Sequence, residues 1–281
     1  MTRRIFHAAA LGALGAGMIC GQAPRGQMSP ALASREQRGR QILQQALAAL
    51  GGPAYLGMRD RTEVGRAYSF YREQLTGLSV AHFYIRYRPA PVPAPPDFMG
   101  IEERQSFGKK QDNSVIFAQN QGFDVTFRGA RPLPDERLQR YQESMLSDIL
   151  YILYYRLHEP GLQVLEVGAD VVENQRVNTV EIADRQNRSV IVHFSAGSHL
   201  PVAQRRYRRD PMFKERIEEV TRYSEYVAVP GGVMWPKQIS REREGEKIYQ
   251  MFAESVQINT GLDESLFRLP SGIPILKKQA I

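Results

Sequence analysis

The residues equipped for covalent chemistry are few in this 281-residue chain, and they do not converge. His82, His158, His193 and His199 are scattered, with neither HExxH nor any other spacing that brings two imidazoles to one metal. No Gly-x-Ser-x-Gly elbow offers a nucleophilic serine, and no glycine-rich phosphate-binding loop is present. The one cysteine, Cys20, falls in an N-terminal segment expected to be removed, which leaves no thiol nucleophile. Glu102-Glu103 and Glu218-Glu219 are adjacent pairs. Neighbours on a strand face opposite sides, so neither pair can serve one substrate, and solvated charges are the expected role. These residues predict no catalytic group, no metal and no cofactor.

The densest basic run is Arg205-Arg206-Tyr207-Arg208-Arg209. A tyrosine among arginines can stack on nucleic acid, but an exported chain rarely meets nucleic acid, and on a strand only alternate arginines share a face. A charged edge strand that resists aggregation is expected, with contact to anionic lipid headgroups or a partner protein as the second reading.

Export is read from the N-terminus. Arg3 and Arg4 precede an apolar core, Ala8 to Ile19, that is too short to span a bilayer. Thr2-Arg3-Arg4-Ile5-Phe6 resembles a twin-arginine signal, so both the general and the twin-arginine route stay open. Cleavage is expected after Ala23 or after Ala33. Gly17-Met18-Ile19 before Cys20 fits a lipidation signal poorly, so anchoring there is not expected. Without residues 1–33 the formal charge falls from +7 to +4, because that segment carries Arg3, Arg4 and Arg25 and no acid. Residues 34–281 are expected to form one domain, since no low-complexity linker or internal repeat divides them.

The elements that would position any site follow from periodicity. Gln37 to Leu50 reads as a helix stopped by Gly51-Gly52-Pro53. The period then changes to two. Ala81, Phe83, Ile85 and Tyr87 alternate with His82, Tyr84, Arg86 and Arg88, and further strands run to about Arg128. Pro89 to Pro96 is an extended loop. Asp135 opens a helix expected to reach His158, and strands resume from Leu162 to Ile258. Two runs of sequential strands without alternating helices predict an α+β domain: a curved antiparallel sheet, a half-open barrel of about ten or eleven strands, with helices covering its concave side.

The last fifty residues also carry a motif: Tyr223 and Tyr226, Pro230-Gly231 with Val233, Pro236 and Ile239, then Asn259, Leu262-Asp263, Leu266-Phe267 and Pro270. This pattern resembles the C-terminal signature of the LolA/LolB-like superfamily of periplasmic lipoprotein carriers. The resemblance implies a non-enzymatic protein of the periplasm that buries a lipid, a lipoprotein acyl group or another hydrophobic ligand between sheet and helix. It implies gating by the 135–158 helix or by the Pro89–Pro96 loop.

Residues that would line such a cavity come from the greasiest stretches. Ile149 to Tyr155 is apolar nearly all round, which fits a helix wedged in a core as well as one lidding a cavity. Under the cavity reading the lining residues are Met145, Ile149, Ile152 and Leu153 of that helix, with Val190, Val192, Phe252 and Val256 of the sheet. Alternatives to lipid carriage are an envelope sensor or assembly subunit that binds a protein, and an exported enzyme.

Overall fold

The computed structural model describes residues 29–91, 95, 97–210 and 213–278. The basic export segment, Cys20, the Ala23 cleavage site and the centre of the Pro89–Pro96 loop lie outside those residues. Ala31-Leu32-Ala33 lies in the first turn of α1 (Pro30–Ala49), which starts earlier than periodicity indicated because the Ser29 hydroxyl caps it, accepting from Leu32 N at 3.3 Å.

The strands form two meanders. The first comprises β1 (Asp60–Tyr71), β2 (Gln74–Tyr87), β3 (Ile101–Phe107), β4 (Asn113–Ala118), β5 (Gln121–Thr126) and β6 (Gly129–Pro132). The second comprises β7 (Gln163–Val172), β8 (Gln175–Ala183), β9 (Ser189–Ser195), β10 (Pro201–Arg209), β11 (Arg216–Val229), β12 (Val233–Arg243) and β13 (Glu246–Ile258). They join where β1 pairs antiparallel with β13, giving one curved, unclosed sheet in the order β6-β5-β4-β3-β2-β1-β13-β12-β11-β10-β9-β8-β7. It has 13 strands rather than ten or eleven. Two-residue turns with left-handed backbone at both positions, such as Arg72-Glu73 and Glu173-Asn174, make tight hairpins without the glycines that would announce them.

An open sheet has two edges, and each is covered in part. At β6, Ala130 N donates to Pro274 O at 2.9 Å and Leu276 N donates to Ala130 O at 2.8 Å. Along β7, Arg35 of α1 donates to Glu166 O at 2.9 Å and Arg40 donates to Leu162 O at 3.0 Å. The Arg205–Arg209 run lies in β10, between β9 and β11, so it is an inner strand and not an edge. Its arginines are spent on β11: Arg206 and Arg208 both meet Glu219, and Arg205 lies 3.3 Å from Glu218. Glu102 and Glu103 are likewise buried rather than solvated. Facing opposite sides as strand geometry requires, Glu102 pairs with Arg86 while Glu103 accepts from Tyr141 at 2.7 Å.

The main core fills the concave side of the second meander. Ile42, Leu43 and Ala46 of α1, with Leu50 just past its end, pack with Val180, Ile182, Val190 and Val192, and α1 lies so close that a Cβ on Gly39 would sit 2.9 Å from Val164 O. The link from β6 to β7 crosses this concavity. It is not one helix to His158: α3 (Asp135–Leu146) stops, Ser147-Asp148 intervene, and α4 (Ile149–Tyr151) continues as a π-helical turn through Arg156. Arg156 is buried and anchors the far end, reaching Glu159 at 2.6 Å and Asp184 at 2.8 Å.

Two predictions follow from these contacts. β1 shifts register against β13 between Val64 and Gly65, and a Cβ on Gly65 would fall 2.0 Å from Phe252 O. Gly65→Ala is therefore expected to cost roughly 2 kcal/mol or more in urea-unfolding free energy. Burial alone would raise the Asp184 carboxyl, but hydrogen bonds from Arg156 and Arg188 outweigh it and hold the carboxyl below its ordinary range. The stabilisation is complete above the ordinary aspartate range and is lost as pH falls through it. Asp184→Asn is expected to cost roughly 3 kcal/mol at neutral pH and much less in acid, measured by melts across that range.

Candidate functional site

Strand register brings the site together. Directly paired residues share a face, so Arg61, Ile85 and Glu103 form one row on β1, β2 and β3, and Glu63, Phe83 and Gln105 form the next. On the other flank Met251 pairs with both Ala67 and Ile239. These rows face the Met145–Tyr151 crossing, and between sheet and crossing lies a cavity of about 370 Å³. Its apolar walls are Phe83, Ile85, Ile101 and Phe107 on one side and Ile239 and Met251 on the other. Met145, Leu150 and Tyr151 roof it, and Tyr55 and Trp235 close one end.

The polar groups in that wall are held by one another. Arg61 donates to Glu63 Oε1 at 2.7 Å and to the Tyr87 hydroxyl, and its guanidinium stacks 3.8 Å from the Trp235 ring centroid. Glu63 is 4% exposed, and burial raises its carboxyl above the ordinary range although the Arg61 charge pulls it down. The buried Trp235 Nε1 has no hydrogen-bond partner among the described residues. Glu103 accepts from Tyr141 and, at 2.9 Å, from Gln105 Nε2.

The cavity continues beneath α3 into a second groove of about 290 Å³, sharing Glu103, Gln105, Met145, Arg241 and Ile248 with it. This groove is polar: Arg137 and Arg140 of α3 face Arg206, Glu219 and Arg243 of the second meander.

The eight residues expected to line a cavity divide. Met145 lines both spaces. Ile149, Ile152, Leu153, Val190 and Val192 are fully buried in the main core with α1. Val256 is half-buried and packs where the main core meets the small cluster around Met251 and Ala253. Phe252 lies on the opposite face of β13 from Met251, across from Arg66 and Gln238. Two register shifts in this strand, at Arg241/Glu242 against β12 and at Val64/Gly65 against β1, defeat simple alternation. Sequence reasoning missed Arg61, Glu63, Tyr87 and Trp235. The available signal was an opposite-charge pair two apart on a strand, hence on one face, and the chain's one tryptophan. Among the described residues no group of three His, Cys, Asp or Glu side chains could hold a metal.

Arg61→Met would strand Glu63 and raise its carboxyl further. A raised carboxyl makes the folded state hold a proton that the unfolded chain releases, so stability falls as pH rises through the ordinary glutamate range. The variant is expected to lose roughly 3 kcal/mol near pH 8 and less near pH 5 in thermal melts. Arg61→Met with Glu63→Met should recover most of the loss.

No family model matches the chain, and no curated protein matches it in sequence. Solved structures do. A putative outer membrane lipoprotein-sorting protein domain from Vibrio parahaemolyticus superimposes with a TM-score of 0.56 at 11% identity, over 83% of this chain and 97% of that one. A DUF1329 family protein from Desulfovibrio piger gives 0.57 at 10% identity, over 83% and 97%. A LolA superfamily protein from Nitrosomonas europaea gives 0.48 at 10% identity, over 82% and 97%. The half-barrel of this chain, with its crossing helices, shares its fold with that lipoprotein-sorting protein domain and that DUF1329 family protein.

Proposed function

We propose that this protein is a non-enzymatic carrier of the bacterial envelope that buries an acyl chain or comparable hydrophobic ligand in the cavity beneath Met145–Tyr151. The observation that carries the reading is the cavity itself. The concave side is packed over β7, β8 and β9, yet about 370 Å³ stays open between β1, β2 and β3 on one flank and β12 and β13 on the other, within the range of small-molecule sites. Its walls of Phe, Ile and Met offer apolar area of adaptable shape, which suits a flexible chain. Burial of acyl surface there is worth roughly 25 cal/mol per Å². The fold's occurrence in a lipoprotein-sorting domain agrees with this reading.

Access is through α3. The segment after Asp148 is pinned through Tyr151 to Phe98 O, Tyr154 to Met58 O and Arg156 to Asp184, whereas α3 buries only Leu146 fully and rests on the sheet through Tyr141, which stacks on Phe117 and donates to Glu103. The Ser147-Asp148 break lets α3 lift while α4 stays.

Ile239→Arg puts a charge on the cavity wall, and the long side chain can reach the polar groove. It is expected to leave the melt within about 1 kcal/mol of wild type and to lower ligand affinity at least about tenfold. Ile152→Arg, in the packed core, is expected to prevent folding. Native mass spectrometry of protein purified from an envelope fraction, with extraction of bound lipid, reads both. A wild-type protein that carries no lipid and takes up no fluorescent fatty acid would falsify the carrier reading.

A further inference from the structure

We propose that the cavity and the groove beneath α3 form one site for an anionic amphiphile, with its apolar chain in the cavity and its negative headgroup among the groove arginines. The inference rests on the carrier reading and adds the chemical class of the ligand. The two spaces are continuous through Met145, Arg241 and Ile248, but their linings differ in kind. Five arginines and three glutamates line the groove, an excess of positive charge. Most of these arginines are committed: Arg137 holds Asp124 at 2.8 Å, Arg140 holds Glu136 at 2.6 Å, and Arg206 shares Glu219 with Arg208.

Two are not. Arg241, at the junction of cavity and groove, has no carboxylate or hydrogen-bond partner among the described residues; its guanidinium lies 5.6 Å from the Tyr249 ring centroid. Arg243 Nε is buried without a hydrogen bond, and its nearest carboxylate, Glu219, is 4.0 Å away and already serves two other arginines. A phosphate or carboxylate with several oxygens can take both guanidinium forks at once. Glu103, the acid at the junction, is occupied by donors from Tyr141 and Gln105. An arriving headgroup therefore meets Arg241 without a carboxylate partner and Arg243 only weakly held, while Glu103, Glu219 and Glu242 are engaged with other donors.

The protein supplies its own reporter, because Trp235 is its one tryptophan and lines the cavity. Its fluorescence is followed while delipidated protein is titrated with dodecyl phosphate, with dodecanol, and with inorganic phosphate as competitor. Dodecyl phosphate is expected to bind about tenfold more tightly than dodecanol, and added salt should erode only that advantage. Arg241→Gln with Arg243→Gln should cut the advantage to about twofold or less, with dodecyl phosphate losing far more affinity than dodecanol. Arg241→Gln alone, at an exposed position, should cut it partway and guards against misfolding of the double variant. Equal wild-type affinity for phosphate and alcohol overturns the headgroup site while the carrier reading stands, as does an advantage that survives both substitutions. Inorganic phosphate competing as strongly as dodecyl phosphate binds leaves a plain anion site and overturns the amphiphile. No response to either dodecyl probe overturns the carrier reading itself, and this inference with it.

Discussion

The structure turns on how the chain carries its backbone through an apolar concavity. The sheet is open, so the polypeptide must travel from β6 at one edge to β7 at the other, and the route runs across the inner face. Helix is the economical way to cross, because it satisfies its own peptide groups. This helix breaks at Ser147-Asp148 and exposes a fresh set of amide donors inside the protein. Gln204 of β10 accepts from Ile149 N at 2.8 Å, and Asp148 Oδ1 accepts from Leu150 N at 2.9 Å and Tyr151 N at 3.3 Å. The Tyr223 hydroxyl lies 2.9 Å from Asp148 Oδ2 and 2.8 Å from Gln204 Oε1, so it can donate to either. The break is held to the sheet by the groups that satisfy it.

The greasy segment that follows is held the same way. Tyr151 donates to Phe98 O at 2.6 Å and Tyr154 donates to Met58 O at 2.6 Å, while Tyr155 lies 2.8 Å from Arg88 O. The rings supply apolar area and stack on one another, and the hydroxyl tips reach the carbonyls of the surrounding loops. Periodicity scored these residues as apolar on every side. In the structure each tyrosine of the segment is apolar along its body and polar at its end, which is why a helix covered all round needs no polar face of its own.

Much of the fold was legible, and the site much less so. Pro230-Gly231-Gly232 announced its hairpin, and the alternation of Ala81, Phe83, Ile85 and Tyr87 is the inner row of β2. The C-terminal motif is structural throughout: Asn259 takes a left-handed turn and accepts from Arg59 N at 2.7 Å, Asp263 caps the turn ending at Phe267, and Phe267 is buried beneath the Arg86 guanidinium. Asp148 carried a helix-start signal that the unbroken apolar run concealed. The cavity residues were not legible because they are defined by pairing. Glu63 faces Phe83 and Gln105 only once β1, β2 and β3 are in register, and the shifts along β13 reassign which residues point inward. Hydrophobicity alone favoured Ile152 and Val192, the residues that packing fills most completely.

The cavity's two ends are electrostatic opposites, and that difference gives it direction. At the closed end Arg61 is neutralised by Glu63, capped by Tyr87 and covered by the Trp235 ring, so a charge is present but its capacity is taken up. Such a pair adds little net stability in a dry interior, yet losing one partner is expensive. It also presents an entering molecule with an aromatic surface rather than a bare ion. At the open end Arg241 and Arg243 retain unused capacity. On the proposed reading, an anionic amphiphile would lower its free energy most by sending its apolar part inward and leaving its negative charge at the groove. The order of strands fixes this polarity, since β1 brings the Arg61–Glu63 pair against β2 while β12 carries Arg241 and Arg243 toward α3.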